Sequence, residues 1–164
     1  MIYRGYKSLP GIRKKYKDKK IVFCSGSFDL THAGHVLFFE DCKKYGNILV
    51  VGLGSDKLIR KYKDRKRPIL NNHLRLKMVD SLKPVDIVFL NESKVTEHPH
   101  AINEVALRDL QPDVYIINKD ASDIPYRKTM AKKFGVKLII LNRRCPKKFR
   151  RISTTEIIEK IKNL

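Results

Sequence analysis

The chain has 164 residues, 42% of them hydrophobic, and carries a formal charge of +19 at pH 7. That length suits one domain with a real core, and no run approaches the roughly 18 apolar residues of a membrane span. So high a charge would draw polyanions, nucleotides and nucleic acid included, but the lysines are spread along the whole chain, as on a merely solvated surface.

Residues 1–20 read as a basic lead-in to a domain over 21–164, with a turn at Pro10-Gly11, room for a short helix and no ligand role. They contain no apolar h-region, so they are not a secretory signal. Ile21-Val22-Phe23-Cys24 is a short apolar run, as in a strand buried on both faces. Val36 to Tyr45 reads as a helix, with Gly46 placed as a C′ residue. Between them, Ser25-Gly26-Ser27-Phe28-Asp29-Leu30-Thr31-His32-Ala33-Gly34-His35 forms a strand-to-helix turn with two histidines three apart. A helix start offers unpaired N–H groups and the positive dipole end, a ready phosphate site. Gly26 and Gly34 would let backbone approach a ligand.

Asn47 to Leu53 predicts a second buried strand, and Ser55-Asp56 can cap a short helix over Lys57 to Lys61. A basic loop from Arg60 to Arg67 follows. An amphipathic helix is expected from about His73 to Leu82, with Leu74, Met78 and Leu82 as its apolar stripe. Val85 to Leu90 is a third strand, and His98-Pro99 opens a helix to about Leu110. Asp113 to Ile117 is a fourth strand, ending in Asn118-Lys119-Asp120. Lys128 to Phe134 lies in a further helix closed by Gly135, and Val136 to Leu141 is a fifth strand. Ser153-Thr154-Thr155-Glu156 has the spacing of a capping box before Ile157, Ile158 and Ile161. Alternation of this kind predicts an α/β fold, a single Rossmann-like doubly wound sheet of about five parallel strands with helices on both faces. The motif turn, Ser55-Asp56, Asn118 to Asp120 and the loop after Leu141 should then share the rim beyond the strands' carboxyl ends. Cys24, Cys42 and Cys145 are widely spaced and form no CxxC pair, which suits a reducing cytosol and a cytoplasmic location.

The run G-S-F-D-L-T-H-A-G-H resembles the G-x-F-D-x-x-H-x-G-H signature of the HxGH nucleotidyltransferase superfamily, which includes cytidylyltransferases, heptose-phosphate adenylyltransferases and archaeal FAD synthases. Arg150-Arg151-Ile152-Ser153-Thr154-Thr155 resembles that superfamily's late R-x-x-x-I-S-T-T element, where hydroxyls and free N–H groups at a helix start can hold phosphates. The likeness spans roughly residues 20–162 and is strongest to heptose 1-phosphate adenylyltransferases, through G-S-D-K-L-I-R-K-Y-K, R-L-K-M-V-D-S-L-K-P-V-D and S-T-T-E-I-I-E-K-I. Three departures stand out. Arg151 replaces a common Gly, Leu74 replaces a common Glu, and Ile117-Asn118-Lys119-Asp120-Ala121 keeps only the aspartate of K-G-G-D-Y.

The resemblance implies direct in-line attack by an acceptor phosphate on the α-phosphorus of a nucleoside triphosphate, with release of pyrophosphate. Such catalysis is mostly positioning and charge stabilisation. His32 and His35 would contact the triphosphate. Lys63, Ser153, Thr154 and an arginine, Arg143 first among Arg143, Arg144 and Arg150, would hold the departing phosphates. Gly26, Ser27 and Phe28 would pack their backbone against the nucleotide, Asp29 would orient the turn, and Arg75, Asp120 and Thr155 complete the nucleotide set. Mg²⁺ would ride on the phosphates rather than in a protein cage. The partners implied are ATP with a sugar 1-phosphate, or CTP with glycerol 3-phosphate or a similar alcohol phosphate; FAD synthesis ranks third. A homodimer is common among relatives. The competing class is a non-catalytic basic module binding nucleic acid; the charge supports it, but no nucleic-acid-reading motif does.

Overall fold

In the computed structural model, residues 1–91, 100–150 and 152–164 are described. Six parallel strands form one sheet: β1 (Ile2–Arg4), β2 (Ile21–Gly26), β3 (Ile48–Gly54), β4 (Ile87–Asn91), β5 (Val114–Asn118) and β6 (Lys137–Leu141), in the order β1-β4-β3-β2-β5-β6. Five of them match the strands that the apolar runs predict. The sixth, β1, comes from the segment read as a basic lead-in and pairs with β4, Ile2 opposite Val88 and Arg4 opposite Leu90. That segment also holds a helix, α1 (Leu9–Lys15), whose Leu9 and Ile12 are buried in the core. Its charges mask a period that places these two residues on one helical face.

The helices are α2 (Ala33–Lys43), α3 (Asp56–Tyr62), α4 (Asn72–Asp80), α5 (Ala101–Leu110), α6 (Ile124–Lys133) and α7 (Thr154–Lys162). Two cores result, as a doubly wound sheet requires. On one face Leu9, Ile12, Phe23, Leu107, Tyr115 and Met130 pack together. On the other are Phe28, Phe39, Cys42, Leu76 and Val79. The expected helix start at His98-Pro99 lies outside the described residues, as does Arg151.

Three sequence expectations need correction. Leu74 and Met78 point to solvent, 51% and 37% exposed, while α4 buries Arg75, Leu76 and Val79. The helix is rotated by one residue from the expected stripe because Arg75 is drawn inward by partners described below. Gly46 does not close α2 in a left-handed conformation. A Cβ there would lie 2.6 Å from the Lys20 carbonyl, which accepts hydrogen bonds from Asn47 and Ile48, so the requirement is close backbone approach. No α7 residue is fully buried; Ile157 and Ile158 are half-covered and Ile161 is exposed. Gly135, at φ 66°, does follow α6 in the left-handed region.

Candidate active site

Strand order reverses at β2, which continues to β3 on one side and borders β5 on the other. The crevice beyond the carboxyl ends of β2 and β5 is therefore the topological switch point, where ligands of open α/β sheets bind. The motif turn occupies it. Gly26 ends β2, and a Cβ there would press within 2.9 Å of the Phe28 ring. Phe28 and Leu30 hold φ of 45° and 47°, a conformation that costs non-glycine residues about 1–3 kcal/mol each.

Surrounding bonds impose that conformation. Asp29 is buried at 1% exposure and accepts from Arg67 Nε at 3.0 Å and from the amides of Ile69 and Leu70 at 2.9 and 3.0 Å. Arg75 is fully buried. Its guanidinium donates to the carbonyls of Ser27 (2.6 Å), Gly54 (2.9 Å) and Leu70 (3.0 Å) and to Asp56 (2.7 Å). Asp29 is thus held where it orients the turn, as expected, whereas Arg75, expected in the nucleotide set, spends its donors inside the protein as a second clamp on that turn. Phe28 also turns inward, against Phe39 at 4.8 Å and edge-on to His35 at 5.3 Å. Ser27 keeps only a backbone role, its carbonyl being held by Arg75.

Helix α2 begins three residues before the expected Val36, which makes His32 its N-cap and sets His35 in its first turn. His32 Nδ1 accepts from the Gly34 amide at 3.2 Å. This leaves the ring proton of the neutral form on Nε2 as a donor. The two imidazoles stack 3.9 Å apart. Burial lowers the pKa of His32, and Arg143 lowers it further against an opposing effect of Glu156. His35 is pushed down to about 3, first by burial and then by His32, Arg143 and Lys63, with Asp29 opposing. Both rings are thus neutral near pH 7 in the free protein, and His35 Nδ1 is buried without a hydrogen-bond partner. Lys63, the C-cap of α3, is exposed over much of its length, yet its ammonium is desolvated. That desolvation lowers its pKa, and Arg67 lowers it further.

The late element reaches the same place. Thr154 Oγ1 donates to the Asp29 carbonyl at 2.8 Å across 125 positions of sequence. Ser153 caps α7 by accepting from the Glu156 amide at 3.2 Å, and the Ile152 carbonyl lies 3.4 Å from where a Gly34 Cβ would sit. The N-termini of α2 and α7 therefore converge, and each presents free amides and a positive dipole end. A pocket of about 590 Å³ opens beside them, lined by Gly34, Phe38, Asn118, Arg143 and Phe149 among others. A smaller one of about 330 Å³ lies between Asp120, Arg143, Ser153 and Thr155.

Among the three arginine candidates, Arg143 lines both pockets and pairs with Asp120 at 2.6 Å. Arg144 and Arg150 line only the larger of the two, and Arg144 is paired there with Glu40 and Asp41 on α2. Sequence reasoning missed Arg67, which was submerged in a charge run, and two aromatic residues of the pocket lining, Phe38 and Phe149. An aromatic set between Lys148 and Arg150 was the available signal for the latter.

A family model described as cytidylyltransferase-like matches residues 23–160, from the motif strand through α7. The chain belongs to the cytidylyltransferase-like family. Its likeness extends to curated proteins named bifunctional protein HldE. Among curated relatives, a bifunctional protein HldE from Sulfurimonas denitrificans is 29% identical over 97% of this chain and 31% of its own length. A bifunctional protein HldE from Helicobacter acinonychis is 32% identical over 90% of this chain and 29% of its own. The chain thus spans less than a third of these relatives. Among solved structures, a lipopolysaccharide core biosynthesis protein from Thermoplasma volcanium is 27% identical, covering 77% of this chain and 97% of its own, with a TM-score of 0.59. A pantoate-β-alanine ligase from Francisella tularensis, with a TM-score of 0.66 over 100% of this chain and 78% of its own but 18% identity, shows the shared fold alone. No helix among the described residues is long and apolar enough to cross a membrane.

Proposed function

We propose that this cytidylyltransferase-like chain transfers a nucleoside monophosphate from ATP to a sugar 1-phosphate, a heptose 1-phosphate in the first instance. The observation that carries it is the convergence of two helix N-termini on a stacked histidine pair at the switch point, beside a pocket of about 590 Å³. The similarity to proteins named HldE supports the choice of nucleotide and acceptor.

The acceptor phosphate oxygen attacks the α-phosphorus, the bond from that phosphorus to the β-phosphate's bridging oxygen breaks, and pyrophosphate leaves. His32 Nε2–H and His35 donate to the phosphate oxygens as charge builds, and approach of the anion raises the histidines' proton affinity. Lys63, Arg143 and the start of α7 hold the leaving phosphates. Mg²⁺ bound to the triphosphate would neutralise part of its charge. It prefers to keep its waters, and no three His, Cys, Asp or Glu side chains among the described residues cluster as a metal site.

The test is pyrophosphate release with Mg²⁺, crossing ATP, CTP, GTP and UTP against heptose 1-phosphate, glycerol 3-phosphate, phosphocholine and FMN. Release that needs both ATP and the sugar phosphate is the expected result. Release with CTP and glycerol 3-phosphate replaces this reading with the alternative one. Triphosphate binding without release from any pair discards the acceptor class.

A further inference from the structure

Strand β6 ends at Leu141 and α7 starts at Thr154, and no helix or strand occurs among the described residues between them. Connections of about 12–15 residues without secondary structure of their own are uncommon and mostly functional. This one forms a wall of the larger pocket through Arg143, Cys145, Phe149 and Ile152 among others, opposite Gly34, Leu37 and Phe38 of α2.

The wall is tied at both ends. At the inner end the Thr154 hydroxyl holds the Asp29 carbonyl, and the Ile152 carbonyl abuts Gly34. At the outer end Arg144 crosses to the last turn of α2, donating from Nη2 to Glu40 at 2.6 Å and from Nε to Asp41 at 3.2 Å. Carboxylates in a helix's last turn face the negative end of its dipole, so both gain from the guanidinium, as Asp41 does from Lys44 at 2.7 Å. Between the ties the loop folds on itself: the Phe149 amide donates to the Pro146 carbonyl at 2.8 Å, and Cys145 Sγ to the Phe149 carbonyl at 3.3 Å. That turn sets Phe149 into the pocket lining with 47% of its surface exposed.

The pocket changes character along α2. Gly34, Leu37, Phe38 and Asp41 share one face of that helix, and from the first to the last the face runs about 10 Å. Its start lies at the converging helix N-termini, which suit phosphate. Farther on, Leu37, Phe38, Leu141 and Phe149 make the lining apolar. Such a surface matches the flat face of an aromatic base better than the hydroxyls of a sugar.

We propose that Arg144 is a positioning residue for base recognition: its ion pairs with Glu40 and Asp41 hold Phe149 against the larger pocket, where the ring stacks on the nucleobase of the triphosphate. This rests on the nucleotidyl-transfer reading. The measure is direct binding of two probes, ATP and inorganic tripolyphosphate, which carries the phosphates without a base. Phe149→Ala should weaken ATP binding roughly tenfold, and Arg144→Gln about three- to fivefold. Neither should change the affinity for tripolyphosphate. Arg144→Lys keeps a charge between the two carboxylates and should restore most of the ATP affinity. Both side chains are exposed, so the variants should fold as the unaltered chain does. Cys145 is exposed whereas Cys24 and Cys42 are buried, so its alkylation by iodoacetamide reports on the wall: ATP should slow it and tripolyphosphate should not. Unchanged ATP affinity in either folded variant, or an equal loss of tripolyphosphate binding, overturns the proposal. ATP binding that needs Phe149, without turnover of any acceptor, counts against the transfer reading alone. Turnover with ATP that ignores both substitutions counts against the base wall alone.

Discussion

His35 is an imidazole held neutral in the first turn of a helix, beside its stacked partner His32. Its unfolded value near 6.5 falls to about 3 in the folded chain. Between those values the unfolded chain binds a proton that the folded one refuses, so stability drops as pH falls from about 6.5 towards about 3 and is unaffected above. His35→Asn should flatten this slope, read as urea midpoints at pH 7 and pH 4.5. The same variant should lose about 10²–10³ in kcat, the usual loss for one donor to transition-state charge. The two histidines were legible as types at a spacing. Their stacking and the burial that keeps them neutral were not, because the first depends on His32 serving as the N-cap of α2 and the second on Phe28 packing over His35. Arg75 was legible as a position but not as a role: only the fold brings Ser27, Gly54 and Asp56 around it.

At the scale of elements, the site is a joint between the motif turn that precedes α2 and the start of α7, tied by the side-chain bond from Thr154 to the Asp29 carbonyl. Thr154→Val keeps the volume and removes the donor, so it should cost about 0.5–1.5 kcal/mol of stability. It should lower pyrophosphate release far more than the melting temperature, while Thr154→Ser retains most activity. Thermal melts and turnover on the same preparations check this. The strands were readable because both faces of a parallel sheet are covered, leaving near-continuous apolar runs. The phase of α4 was not readable, because a buried arginine breaks the apolar stripe on which periodicity depends.

At the scale of the molecule, the stretch dismissed as a basic lead-in is structural. Leu9 and Ile12 pack with Leu107 and Leu110 of α5 beneath the sheet. Ile12→Ala should cost about 2–5 kcal/mol, as buried truncations do, with denaturant melts as the measure and an unaltered acceptor KM as the control. Lysines around the two apolar positions hid them from a reading of composition. The Thr154 bond also has a consequence in time. Synthesis runs from the N-terminal side, so both histidines emerge more than a hundred residues before the hydroxyl that secures their turn. A nascent chain halted at residue 150 would carry the whole HxGH signature without the Thr154 bond that ties its turn to α7, so the two helix starts would converge only after Ser153 and Thr154 are made.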